Sequence, residues 1–300
     1  MTKTLVIGAT CVDMIIHVKK FPDTDEDINF HDDKMSVGGT AFNVARALQS
    51  QGSEFILCSP IGEKGVYAEF IKNELAKNAI PVFAEIEGQE NGVCICLINE
   101  KKEHAFLCSH KAEYVFDGKF FSKIDFREVD SIYFCGLEME EVSAEKEVDF
   151  IAHVKSEAQK AERELKIFFD PTSRIKFIEK KLVEKILALK PILHLNKQEA
   201  LDLSGKNSYE EAAAHLSRIC ENDLILTLGK DGAYIFERGE NAGKKVAGVS
   251  ANVVSTIGCG DAHLGVCIAQ IKKGASLYDA VSKANEYAAK VAQTEKASLF

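Results

Sequence analysis

The segment Ser255-Thr256-Ile257-Gly258-Cys259-Gly260-Asp261 combines residue types that can handle a transferring anion. Glycines at 258 and 260 let the main chain turn tightly and leave no side chain between it and a ligand. A helical pattern follows over 262–272, so the amides of the turn converge at a helix start. Unpaired N–H groups and the positive dipole end favour negative charge there. Such a turn suits a phosphoryl group in transfer, and Asp261 in the first helical turn is placed to accept a proton from an attacking hydroxyl. The plainer reading of Asp261 is an acidic residue that stabilises its own helix terminus. The four-residue G-x-G-D pattern is weak when taken alone.

Two further groups offer hydrogen bonds to a polyhydroxylated ligand. Val37-Gly38-Gly39-Thr40-Ala41-Phe42-Asn43 again sets glycines before a helix, and Asn43 brings both a donor and an acceptor. Asp13 stands just past the first strand-like run. In an open α/β sheet that is the end where ligands bind, and one carboxylate can accept from two neighbouring hydroxyls.

These residues need a frame. Apolar runs at 3–8, 55–59, 131–135, 166–169, 192–195 and 223–228 are continuous enough for strands buried on both faces. Between them lie helical spacings: Ala41, Val44, Ala45 and Leu48; Tyr209, Ala212, Ala213 and Leu216; Leu264, Cys267, Ile268 and Ile271; Ala284, Tyr287, Ala288 and Val291. The alternation predicts a largely parallel sheet with helices on both sides. Two segments depart from it. In 12–37, Val12, Met14, Ile16 and Val18 share a face; in 82–111, runs at 93–99 and 104–109 flank the turn-like 100–103 and predict an antiparallel hairpin. Together they suggest a small sheet beside the main one, serving as a lid. The charged run 138–164 reads as a solvated helix with Val148, Ile151, Ala152 and Val154 on its apolar side.

Composition narrows the classes. In 300 residues, 46% are hydrophobic and 28% charged, which suits a globular chain with a large core and not a disordered one. A net charge of −9 argues against bulk nucleic-acid binding. With no signal-like core and no apolar run of membrane-spanning length, the cytoplasm is the expected location. Nine cysteines without a CxxC indicate neither a disulfide framework nor a zinc ribbon, and most, Cys58 and Cys135 among them, lie in apolar company and read as small buried hydrophobes. The sequence has no GxxxxGK[ST], HExxH or GxSxG, and no GxGxxG after its first strand.

Taken in order, the motifs resemble the PfkB carbohydrate kinases, the ribokinase-like superfamily of sugar and nucleoside kinases. The resemblance rests on GG-x-x-x-N at 38–43 and G-x-G-D at 258–261. Between them Asp170-Pro171-Thr172-Ser173-Arg174 is similar to DPNxR, Asn196-Lys197-Gln198-Glu199 to NxxE, and 227–232 to T-x-G-x-x-G. It implies an α/β fold over 1–300, a ribokinase-like three-layer sandwich with a mostly parallel central sheet and a small β-sheet lid. The lid would be formed by 12–37 and 82–111, and in this family it often mediates dimerisation.

The resemblance also implies roles. Asp261 would be the catalytic base, and Gly258, Cys259 and Gly260 the anion hole. Asp13, Gly38, Gly39 and Asn43 would hold the acceptor. Asn196, Thr227, Gly229, Gly232 and Asn285 would bind the nucleotide, with Glu199 acting on Mg²⁺ through water. ATP is the expected donor, and a hydroxymethyl group of a sugar or sugar-like compound the expected acceptor. The rival acceptor is a nucleoside, a ribonucleoside or pseudouridine-type compound, for which Phe106 and Tyr114 offer aromatic surfaces. A different class is a non-catalytic sugar- or nucleotide-binding regulator of the same fold. Three positions depart from the family pattern. Ser255 replaces an aspartate that helps form a monovalent-cation site in potassium-activated members, Cys259 replaces alanine and Thr172 replaces asparagine. His263 is also unusual there, and reads as a helix residue facing solvent or packed locally.

Overall fold

The computed structural model describes residues 2–30, 32–101, 103–116, 118–294 and 299. Lys102 of the turn expected at 100–103, His31 of the segment 12–37 and residues 1, 117, 295–298 and 300 of the expected 1–300 domain lie outside them. The strands are β1 (Lys3–Ile7), β2 (Cys11–His17), β3 (Asp32–Gly38), β4 (Phe55–Cys58), β5 (Pro60–Gly62), β6 (Ala84–Ile86), β7 (Val93–Ile98), β8 (His104–Cys108), β9 (Val129–Cys135), β10 (Lys166–Asp170), β11 (Ile192–Asn196), β12 (Leu224–Thr227), β13 (Gly232–Phe236) and β14 (Lys244–Ala247). The helices are α1 (Thr40–Ser50), α2 (Val66–Lys77), α3 (Gly118–Phe121), α4 (Ala144–Lys160), α5 (Lys180–Ala188), α6 (Lys197–Ser204), α7 (Tyr209–Cys220), α8 (Cys259–Lys272) and α9 (Leu277–Val291).

An eight-stranded sheet runs in the order β14-β13-β12-β11-β10-β9-β1-β4. It is parallel from β4 to β12 and antiparallel at β13 and β14. Successive side chains along a strand point to opposite faces, and the central strands are apolar on both. Leu5 and Ile7, Ile132 and Phe134, Ile167 and Phe169, and Leu224 and Leu226 enter one core, beneath α4, α5 and α7. Val6, Tyr133, Phe168 and Ile225 enter the other, beneath α1, α8 and α9. The continuous apolar runs are therefore the signature of the middle layer of a three-layer sandwich.

A second sheet, of four strands in the order β3-β2-β7-β8, stands apart from the first. β2 is antiparallel to β3 and parallel to β7, and β7 with β8 forms the antiparallel hairpin. Strand β6, which also falls within 82–111, pairs instead with β5. Among the described residues no helix is long and apolar enough to cross a membrane.

The charged run 138–164 needs correcting. Helix α4 does bury Val148, Ile151 and Val154, but Ala152 is exposed, and Glu138 and Glu147 are fully buried. Most of the cysteines are buried, as their apolar company implies: Cys58, Cys96, Cys135, Cys220 and Cys267 are, whereas Cys11, Cys94 and Cys259 are only partly covered and Cys108 is exposed. His263 is 3% exposed, so it does not face solvent.

Candidate functional site

Two helix starts are brought side by side by a glycine. A Cβ on Gly265 would lie 2.6 Å from the Ala47 Cβ and 2.8 Å from the Val44 carbonyl, so α8 approaches α1 more closely than any side chain there permits. One turn earlier on both helices, Asn43 Nδ2 donates to Asp261 Oδ2 at 2.8 Å. Burial pushes the Asp261 carboxyl up to about 8, with the charges of Asp170, Asp13 and Glu138 adding to it and the Asn43 hydrogen bond opposing. The residue as a whole keeps some solvent contact. Asn43 itself is 5% exposed and holds Asp261 in place through this bond.

Gly39 supplies the second close approach. Its φ is +90°, and any Cβ would run into the Ala9 carbonyl at the exit of β1. That exit is held by Glu138, which lies outside every motif in the sequence. Its Oε1 accepts from the Ala9 N–H at 2.7 Å, and Cys135 Sγ donates to its Oε2 at 2.9 Å. On β2, Asp13 lies against Gly38, and burial raises its carboxyl to about 6. Asp13, Gly38, Gly39, Asn43 and Asp261 thus converge where the small sheet meets the starts of α1 and α8.

Gly258 caps α8 with a left-handed φ of 74°. The Cys259 N–H is already directed at the Thr256 carbonyl, 3.2 Å away, so the first-turn amides left for an anion are those of Gly260 and Asp261. Cys259 therefore contributes its place in the turn and its thiol. Burial raises that thiol to about 11, with the Asp261 charge adding. Behind the turn lies a cavity of about 650 Å³. Thr227, Gly229, Gly232, Cys259, Gly260, His263 and Asn285 line it, which brings together most of the residues expected to bind a nucleotide. Asn196 lines an adjoining cavity of about 660 Å³ that shares Thr227 and Gly229.

Asn196 and Glu199 also have a structural task. Asn196 Oδ1 accepts from the Glu199 N–H at 3.0 Å, and Glu199 Oε2 accepts from the Asn196 N–H at 2.8 Å, a reciprocal capping box at the start of α6. Glu199 is 8% exposed and lines neither cavity. Its carboxyl is raised to about 7 by burial, with the neighbouring Asp170 and Asp202 charges adding.

A buried polar chain crosses beneath the site. Asn285 Nδ2 donates to the Ala247 carbonyl at 3.0 Å, so its Oδ1 accepts from His263 Nε2 at 3.1 Å. His263 Nδ1 then carries no proton and accepts from His194 Nε2 at 3.0 Å. Burial and the neighbouring His194 hold His263 down at about 3, so it stays neutral. His194 Nδ1 faces Asp170 Oδ2 at 2.9 Å, which places one proton between those two atoms. The chain ties the cavity wall at Asn285 to a carboxylate whose charge bears on Asp261. No spacing rule links residues 170, 194, 263 and 285. The sequence marks Asp170 and Asn285 through the family resemblance and His263 as unusual, but nothing in it joins them to His194.

A family model described as pfkB family carbohydrate kinase matches residues 1–299. The chain is 28% identical over 296 residues to the uncharacterized sugar kinase YegV of Escherichia coli (strain K12), covering 95% of this chain and 86% of that protein. Among solved structures it is similar to Arabidopsis thaliana ribokinase complexed with ribose and ATP, with a TM-score of 0.80 at 16% identity, covering 98% of this chain and 94% of that one. The Burkholderia thailandensis nucleoside kinase in complex with inosine gives 0.79 at 17% identity, covering 99% and 93%. At these identities the structural likeness is one of fold.

Proposed function

The chain belongs to the pfkB family of carbohydrate kinases and is a phosphotransferase, and from that premise we propose that it moves the γ-phosphate of ATP to a hydroxymethyl group of a sugar or sugar-like acceptor. The observation that carries this reading is the joining of Asn43 to Asp261 across the starts of α1 and α8, next in sequence to Gly260, which lines a cavity of about 650 Å³. That volume suits a nucleotide-sized ligand. ATP lies along Thr227, Gly229, Gly232 and Asn285, with its phosphates toward the turn at 258–260. The acceptor lies against Asp13, Gly38 and Gly39. Asp261 accepts the proton of the attacking hydroxyl, and the amides of Gly260 and Asp261 face the charge that develops on the migrating phosphoryl group. The small sheet of β3, β2, β7 and β8 acts as a lid that keeps water from competing with the acceptor.

Among the described residues no three His, Cys, Asp or Glu side chains are grouped to cage a metal. Mg²⁺ keeps several waters and is held largely by substrate phosphates, so a cage is not required. Glu199, whose carboxyl burial keeps high with the Asp170 charge adding, would hold a hydrated divalent cation together with Asp170. Mg²⁺ would supply charge neutralisation at the phosphates.

A nucleoside acceptor is the second reading, favoured by Phe106. Strand pairing aligns Cys96 with Phe106 and with Ile15, on the side of the small sheet that carries Asp13, and Phe106 is 58% exposed. A flat exposed ring near the acceptor site can stack a base. The experiment measures ADP release from ATP and Mg²⁺ against pentoses, hexoses, their phosphates, deoxy-keto acids and nucleosides, with and without K⁺. Turnover with one sugar class supports the first reading, and turnover with nucleosides alone replaces it with the second. A folded, nucleotide-binding protein that turns over none of them overturns both.

A further inference from the structure

The small sheet carries a second chemical group on its acceptor side. Strands β7 and β8 pair Cys94 with Cys108, and β2 and β7 pair Asp13 with Cys94. Residues paired across neighbouring strands share a face, so Asp13, Cys94 and Cys108 form one row. The Ser109 N–H donates to the Val93 carbonyl at 2.9 Å, and the Asn99 N–H to the Glu103 carbonyl at 3.2 Å. Hydrogen-bonded pairs alternate along an antiparallel ladder, so Cys94 and Cys108 are a non-hydrogen-bonded pair, the type whose Cα atoms lie about 4.5 Å apart. That spacing falls within the range a disulfide spans. Cys108 Sγ already donates to Cys94 Sγ at 3.3 Å. Cys108 is exposed and open to a small oxidant, whereas Cys94 is partly covered.

We propose that Cys94 and Cys108 are a thiol–disulfide modification site, oxidised by low-molecular-weight disulfides, and that the bridge disturbs the acceptor side of the site. The Cys108 thiolate attacks one sulfur of glutathione disulfide, forming a mixed disulfide and releasing one glutathione thiolate. Cys94 then gives its proton to solvent and attacks Cys108 Sγ, expelling the second glutathione as thiolate. Both leaving thiolates are protonated by solvent. The two cysteines lose two electrons and two protons, and glutathione disulfide is reduced to two thiols. Bond formation draws the sulfurs from 3.3 Å to about 2.05 Å and shifts the row that holds Asp13. The pairing of the thiols stands independently of the catalytic reading, whereas the effect on the acceptor rests on it.

The test treats the full-length folded protein with excess glutathione disulfide, alkylates the remaining thiols and maps the peptides by mass spectrometry. The expected result is a linkage between the peptides of Cys94 and Cys108, absent after dithiothreitol, and a glutathione adduct on Cys108 in Cys94→Ser. A lasting adduct on Cys108 with Cys94 still alkylated, or a linkage to a different cysteine, overturns the pairing. Oxidation is expected to raise the acceptor KM about tenfold, since a displacement of about 1 Å at a positioning group costs that or more. Dithiothreitol reverses the rise, and Cys108→Ser does not show it. A mapped bridge with an unchanged KM overturns the effect on the site and leaves the crosslink standing.

Discussion

Replacing Asp261 by asparagine separates catalysis from stability, and the two are expected to move in opposite directions. The amide oxygen of the substituted side chain can still accept from Asn43 Nδ2, so the contact between α1 and α8 survives. The base is lost. Positioned bases contribute about 10²- to 10⁴-fold, so kcat should fall by that factor, a rise of about 3–5 kcal/mol in the barrier. The wild-type carboxyl ionises near pH 8, so its kcat/KM should climb about tenfold per unit below that pH, and the variant's should be flat. For stability the sign follows from the raised value. Unfolded aspartate ionises near 3.8 and the native carboxyl near 8. Between those values the native state holds the extra proton, so wild-type stability falls as pH rises through the window and levels off above 8. Asparagine removes that loss. At pH 8 the variant should gain about 3 kcal/mol, once the full 1.36 kcal/mol per unit is halved for the residue's remaining solvent contact. That corresponds to a rise of about 5 °C in Tm. ADP release and thermal melts at pH 4, 6 and 8 measure both effects, with nucleotide binding as the control for folding. A variant that binds nucleotide and keeps its rate within tenfold refutes the assignment of the base, and melts that do not diverge between pH 4 and 8 refute the burial argument.

Three further outcomes are expected. A bulky maleimide should inactivate the enzyme through Cys259, faster with rising pH because burial raises that thiol to about 11, with ATP protecting and Cys259→Ala resistant; full activity after peptide mapping proves complete modification would count against the cavity assignment. Gly39→Ala should cost about 2–3 kcal/mol in urea unfolding and raise the acceptor KM, because it combines a left-handed φ with a collision at the Ala9 carbonyl. Glu147→Leu should stabilise the protein by about 1–3 kcal/mol, because both carboxyl oxygens of Glu147 are buried without a hydrogen-bond partner among the described residues. Burial raises this carboxyl above 4.5, so the native state keeps its proton and the advantage of leucine should grow as pH rises above that value. Denaturation curves at pH 4 and 7.5 that differ equally from wild type would contradict it.

The middle of the fold was legible because strands buried on both faces write themselves as unbroken apolar runs; 3–8, 131–135 and 223–228 all became strands of the main sheet. The outermost antiparallel strand carries no such mark: β14 reads Lys244-Lys245-Val246-Ala247, with one buried residue and no apolar run. Motif residues on glycine-marked turns were readable for the same local reason. Groups that act through distant partners were not. Glu138 sits in a run of like charges, and only the Ala9 and Cys135 contacts reveal why it is buried. His194 is one polar residue in a buried strand, and its meaning depends on His263, 69 residues away. The NxxE motif forms a helix cap and is also proposed to act near the phosphates, and the sequence alone does not separate the two tasks.

The contact at Gly265 has a mechanical consequence. With α1 and α8 touching at that point, neither can slide along the other without driving Ala47 and Val44 into the α8 backbone. On the proposed function, motion during turnover then falls to the four-stranded sheet, which joins the rest of the chain through 8–10, Gly39, 87–92 and the stretch that follows Cys108. On that reading the protein works as a hinged jaw over a rigid bed, and the separation between Asp261 and Asn43 should be the same in its empty and loaded states.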